Sequence, residues 1–105
     1  MVIINGVAAS SGIAKGVEKL ILSEKDYSKV KPKDIIVCVT TTPDMVPLMK
    51  KAAAIVADEG GILSHPSIIS RELGIPCVVG VRDGTKRIKN NAKITVNGTK
   101  GEVIF

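Results

Sequence analysis

Tryptophan is absent from this chain, and phenylalanine and tyrosine occur once each. A core with so few rings has to be built from Ile, Val, Leu and Ala, and the β-branched members of that set favour strands. A sheet protein is expected. The same scarcity bears on partners. The net charge is +5, but the lysines are scattered from Lys15 to Lys33 and again from Lys86 to Lys93, with almost no rings on which bases stack. No nucleic-acid partner is expected, and the charge reads as solvated surface or as mild attraction to anionic substrates or acidic partners.

No CxxC pair occurs. Cys38 in "IIVCVT" and Cys77 in "IPCVVG" each lie in an apolar run, where a free cysteine behaves as a small buried hydrophobe. Two distant cysteines and a single histidine make a poor metal-ligand set, so no metal is expected. No charged start leads into a long apolar region, and no apolar run has the length needed to cross a bilayer, so a cytoplasmic protein without a membrane partner is expected. Internal repeats and linker-like tails are also missing. With 105 residues, 45% of them hydrophobic, residues 1–105 read as one domain with a modest core.

Short apolar stretches between residues 2 and 22 are broken by Gly6, Gly12 and Gly16, which predicts strands joined by tight turns or bulges. "SEKDYSKVKPKD", residues 23–34, reads as a surface connection. "IIVCVT", residues 35–40, reads as a strand covered on both faces. Thr42 as N-cap, Pro43 and Asp44 then mark a helix start, and "AAIVA" reads as a further buried strand. A second helix is predicted over His65–Leu73, with Ile68, Ile69 and Leu73 on one face, Gly74 as its left-handed cap and Pro76 preventing continuation. "CVVG" reads as a short strand, Asp83-Gly84 as a turn, and "KITVNGTKGEVIF" as a hairpin around Asn97-Gly98. The fold class is α/β, mixed, with strands outnumbering helices.

The only histidine follows a glycine pair and a serine. Gly60 and Gly61 permit backbone conformations closed to other residues and let a ligand approach the main chain. Ser64 can cap the helix, and His65 and Pro66 stand at its positive end, where free N–H groups favour an anion. Imidazole titrates near neutrality and offers an unprotonated ring nitrogen as a nucleophile. A phosphoryl group on that nitrogen is one reading; a tight strand-to-helix turn that His65 merely caps is the other. The residues alone leave both open.

The stretch "GGILSHPSIISRELGIPCVVG" resembles the signature of the phosphohistidine, or swivelling, mobile domain of the phosphoenolpyruvate-utilising enzymes: phosphoenolpyruvate synthase, pyruvate phosphate dikinase and enzyme I of the sugar phosphotransferase system. "GVAASSGIAKGV" is similar to the opening of that domain, "TTPDMVPLMKKAAAIVADEGG" to its centre and "DGTKRIKNNAKITVNGTKGEV" to its closing strands, so the likeness covers nearly the whole chain. It implies a β/β/α swivelling domain, a mixed sheet sandwich with two or three short helices. It implies His65 as phosphoryl acceptor, with Gly60 and Gly61 matching the glycine pair beside the phosphate. Ser64 matches the hydroxyl residue before the histidine, as phosphate partner or helix cap. Arg71 and Glu72 match the motif's Arg-Glu, where an ion pair or structural anchor is expected. Departures are Leu63, where many dikinases carry a regulatory threonine, Pro66 in place of the usual alanine and Ser11 in place of a proline. That regulation is therefore not expected.

The resemblance also implies partners. Residues 1–105 hold neither a nucleotide-binding domain nor a barrel for phosphoenolpyruvate and pyruvate, so these are expected in trans, or else the chain is an excised piece of a larger polypeptide; magnesium and ATP or phosphoenolpyruvate are expected on those partners and no cofactor on this domain. A stand-alone phosphocarrier is the first expectation, and Met1 with the strand-like final residues points to a complete small protein. The alternative is a non-catalytic interaction or regulatory module of a dikinase complex.

Overall fold

The computed structural model describes residues 1–105. Eight strands form one mixed sheet: β1 (Ile3–Asn5), β2 (Val7–Ser10), β3 (Ile13–Ile21), β4 (Ile35–Cys38), β5 (Ala54–Ala57), β6 (Cys77–Val79), β7 (Lys93–Asn97) and β8 (Glu102–Ile104), in the order β1-β8-β7-β3-β4-β5-β6-β2. Three helices accompany them, α1 (Val46–Lys51), α2 (His65–Leu73) and α3 (Gly84–Arg87), with 3-10 turns at Glu24–Lys29 and Pro43–Met45.

The nine residues of β3 join two unlike halves. Residues 13–17 pair antiparallel with β7, while Glu18–Ile21 pair parallel with β4, and β4, β5 and β6 continue in parallel. The inner parallel strands are buried on both faces, as their unbroken apolar runs require. Ile36, Cys38, Ile55, Ala57, Cys77 and Val79 form one core with Leu48 and Met49 of α1, against which Ile69 and Leu73 of α2 pack. Ile35, Val37, Ala54, Val56 and Val78 form the other, together with Ile4, Ile94, Val96 and Val103 of the antiparallel half. The antiparallel half therefore folds over one face of the parallel half, α1 and α2 cover the other, and α3 lies beside the core that the antiparallel half shares. The result is the expected β/β/α layering.

Several local expectations need correction. Gly16 does not break a strand: it lies inside β3, where a Cβ would stand 2.6 Å from the Lys33 carbonyl oxygen, so its smallness serves a close backbone approach. The polar connection 23–34 contains the 3-10 turn, whose first residues are fastened by Asp26 accepting from the Leu22 and Ser23 amides and from Lys29 Nζ. Strand β4 stops at Cys38, and Asp83-Gly84, expected as a turn, opens the short helix α3. The helix after Thr42 starts with a 3-10 turn, and the Thr42 hydroxyl bonds the Asp44 carboxylate, not a main-chain amide. Ile68 is exposed; the buried face of α2 is Pro66, Ser67 and Ser70.

Burial holds both thiols protonated at neutral pH: Cys77 is pushed up to about 11 and Cys38 well beyond the usual thiol range, which leaves them as core side chains. Glu18 is the unusual core residue. It is fully buried; Oε1 accepts from the Asn91 amide at 3.1 Å and Oε2 has no partner. Burial raises its pKa above the ordinary 4.5. Folding therefore favours the protonated acid, a contribution fully present below pH 4.5 and lost as pH rises through the folded-state value. Glu18→Gln, which cannot ionise, is expected to raise Tm near pH 8 by about 4 °C, the shift given by about 1 kcal/mol in a domain of this size. The gain shrinks near pH 4. A thermal melt at the two pH values checks it, and a gain that is equal at both contradicts the ionisation argument.

Candidate functional site

The carboxyl ends of β4 and β5 deliver the site. At such ends, open α/β sheets place their ligand loops. After β5, the Asp58 amide donates to the Cys38 carbonyl and the Glu59 amide to that of Val39, so the two strand exits stay side by side. Asp58 is buried and accepts from the Thr85 amide at 3.1 Å and the Thr85 hydroxyl at 2.5 Å, which fastens the start of α3 beneath the loop.

The loop then turns at Gly60, whose φ is +121°. A Cβ there would stand 2.6 Å from Ser64 Oγ. Only glycine fits. At Gly61 nothing lies within 4 Å of where a Cβ would be, and its φ is not left-handed, so its main chain is open to approach. The Gly61 carbonyl oxygen accepts from the Ser64 amide at 3.1 Å, Ser64 Oγ at 2.8 Å and Ser67 Oγ at 2.6 Å. Ser64 has the extended backbone of an N-cap, but its hydroxyl goes to Gly61 and Ser67 instead of bonding a helix amide. The expected side-chain cap is not made.

That choice leaves donors unspent. Pro66 has no N–H, the Ile68 amide donates to Ser64, and the amides of Gly60, Gly61, Ile62, Leu63, His65 and Ser67 donate to no protein group. They cluster at the positive end of α2, the arrangement that favours an anion. The other end of α2 closes as expected, with Gly74 at φ +71° and the Ile75 amide reaching the Ser70 carbonyl.

His65 is the first residue of α2 and is partly buried. Its Nδ1 lies 2.6 Å from Oγ1 of Thr41, a residue only 4% exposed that follows β4. Nε2 has no protein partner. The ring is therefore held by one nitrogen and offers the other. Thr41 was not among the sequence candidates. Its signal was position, in a triple threonine at the end of a parallel strand, but nothing in the triplet tells which hydroxyl points inward.

The remaining candidates separate. Arg71 donates through Nη1 to the Ala9 carbonyl at 2.9 Å and through Nη2 to the Ile62 carbonyl at 2.7 Å. It anchors the glycine loop to both α2 and β2. Glu72 is exposed and makes no ion pair, so of the two expected roles, ion pair or structural anchor, the contacts of Arg71 are those of an anchor. No three side chains among His, Cys, Asp and Glu come together as metal ligands.

Comparison with known proteins agrees with this geometry. Residues 30–101 match the family described as PEP-utilising enzyme, mobile domain. A probable phosphoenolpyruvate synthase of Archaeoglobus fulgidus is 55% identical over 102 residues, covering 97% of this chain and 14% of the relative. The phosphoenolpyruvate synthase of Pyrococcus furiosus is 54% identical over the same length, 97% of this chain and 12% of its own. The chain thus spans a small fraction of the relatives it matches. Among solved structures, an enzyme I protein in solution aligns with TM-score 0.64 and 31% identity, over 74% of this chain and 32% of that one. The aconitase X of Thermococcus kodakaraensis, at 21% identity, covers 99% of this chain and 98% of its own with TM-score 0.73, which shows a shared fold alone. The sheet topology, the glycine loop and the histidine at the start of α2 all lie within a chain that belongs to the mobile-domain family of the PEP-utilising enzymes.

Proposed function

We propose that this chain is a phosphocarrier: His65 takes a phosphoryl group on Nε2 from a phosphoenolpyruvate- or ATP-dependent partner in trans and passes it on. With Nδ1–H donating to Thr41, the Nε2 lone pair is free to attack phosphorus. The new N–P bond forms as the P–O bond to the donor breaks, and the electron pair leaves with the donor oxygen. Delivery reverses these roles at a second partner site. Magnesium and the nucleotide or phosphoenolpyruvate belong to the partners.

The observation that carries this reading is the ring's asymmetry, one nitrogen bonded at 2.6 Å and the other unpartnered, beside a group of unpaired amides. Those amides of Gly60, Gly61, His65 and Ser67 would receive the phosphate oxygens without any cation of this chain. Arg71 holds the loop that carries them. The family and the relatives named phosphoenolpyruvate synthase support the same assignment. Incubation with phosphoenolpyruvate or ATP and the cognate partner should add the mass of one phosphate, stable in base and lost in acid. An unchanged intact mass under every donor and partner combination overturns the proposal.

A further inference from the structure

Thr41 is the one buried residue in the stretch from Val39 to Asp44, and its own peptide is weakly secured. Neither Thr40 nor Thr41 makes a main-chain hydrogen bond through its amide or its carbonyl. A cleft of about 220 Å³, lined among others by Leu22, Tyr27, Val39 and Met45, lies between the segment and the 3-10 strap 24–29. What fastens the segment lies at its flanks. Upstream, the Val39 carbonyl accepts from Glu59. Downstream, Met45 is buried, its amide closes the turn onto the Thr42 carbonyl, and the Asp44 carboxylate takes the Thr42 hydroxyl on one oxygen and the Tyr27 hydroxyl, at 2.6 Å, on the other. The bond to Tyr27 ties residues 42–45 to the strap by a side-chain hydrogen bond.

From this connectivity we infer that Tyr27 and Asp44 form a clamp that fixes Thr41 against His65, which makes both of them positioning residues for the ring. The inference rests on the reading of His65 as phosphoryl acceptor, since the clamp matters to transfer by holding Nδ1 protonated and Nε2 bare. The chemistry requires no movement of a proton by Tyr27 itself. Its hydroxyl tethers the strap to the turn, the turn carries Thr42, and Thr42 is joined by one peptide bond to the residue that touches the imidazole. Both hydroxyl contacts to Asp44 draw its carboxyl below the usual carboxylate range, Thr42 first and Tyr27 second, so Asp44 stays ionised and the acceptor of both bonds is a full charge.

The chain contains a single histidine, so the tautomer of its ring can be read without assignment. Two-bond 1H–15N correlation spectra of the unphosphorylated protein at about pH 9, where imidazole is neutral, give the ratio of the Nδ1–H to the Nε2–H form. Tyr27→Phe should lower that ratio about fivefold, the fold-change of one ordinary net hydrogen bond, and lower the initial rate of phosphoryl uptake by a similar factor. Lys29→Ala removes the ion pair to Asp26 on the same strap without touching Asp44, and should leave the ratio unmoved. An unchanged ratio in Tyr27→Phe, or an equal shift in Lys29→Ala, overturns the clamp. A shifted ratio in a protein that never takes up phosphate upholds the clamp and defeats the carrier reading. Uptake with a ratio insensitive to Tyr27→Phe does the reverse.

Discussion

His65→Ala is expected to abolish phosphoryl uptake altogether while leaving the fold in place. The substitution removes the one side chain whose nitrogen is offered at the start of α2, and no second nucleophile stands by. Both thiols are buried and held protonated, and the hydroxyls of Ser64 and Ser67 are committed to the Gly61 carbonyl. Incubation with labelled phosphoenolpyruvate or ATP and the cognate partner should give an acid-labile, base-stable label on the wild type and background alone on the variant. The structural cost is modest. The variant strips the Thr41 hydroxyl, in a buried position, of its partner, a loss of about 1 kcal/mol, which lowers Tm by roughly 4–8 °C. Label retained by His65→Ala would place the acceptor elsewhere. A wild type that takes no label, yet binds a dikinase subunit as tightly as His65→Ala does, would establish the interaction module in place of the carrier.

How much of this was written in the sequence depends on how local the cause is. Helix α2 was legible to the residue, because its start and stop are set by Ser64, Pro66, Gly74 and Pro76 through contacts within one turn. The central strands were legible because burial on both faces demands continuous apolar runs, and "IIVC" and "AIVA" supply them. What failed was decided at long range. Gly16 looked like a turn glycine, yet its partner is the Lys33 backbone, brought across by strand pairing. Ile68 looked like core by spacing, yet the helix turns Pro66, Ser67 and Ser70 to the sheet, so small residues bring α2 close and leave Ile68 outside. Ser64 was readable as an N-cap by position but not by bonding, since the Gly61 carbonyl competes for its hydroxyl. Within the site, His65 and the glycines came from a contiguous motif. Thr41, 24 residues upstream, is joined to them only by the pairing of β4 with β5.

The glycine pair allows stability and function to be pulled apart. Gly60→Ala forces a side chain onto a backbone at φ +121°, a region costing about 1–3 kcal/mol for other residues. It also drives the new Cβ to within 2.6 Å of Ser64 Oγ. That hydroxyl cannot swing away freely, because it bonds both the Gly61 carbonyl and Ser67 Oγ. The expected loss is about 3 kcal/mol, a fall in Tm of more than roughly 10 °C, together with failure of phosphoryl uptake as the loop is displaced. Gly61→Ala is the opposite case. Its backbone is not left-handed and its Cβ would meet nothing within 4 Å, so Tm should stay within about 2 °C of wild type. The methyl group nevertheless stands over the unpaired main chain that would receive the phosphate oxygens, so uptake should fall by about tenfold, the factor produced by 1.36 kcal/mol on the barrier. Measured side by side, the two variants give one protein that is both unstable and inactive, and one that is stable and slow. A Gly61→Ala protein that takes up phosphate at the wild-type rate would mean that the open main chain of the loop is only a consequence of the turn at Gly60, and that the phosphate is held from the helix start alone.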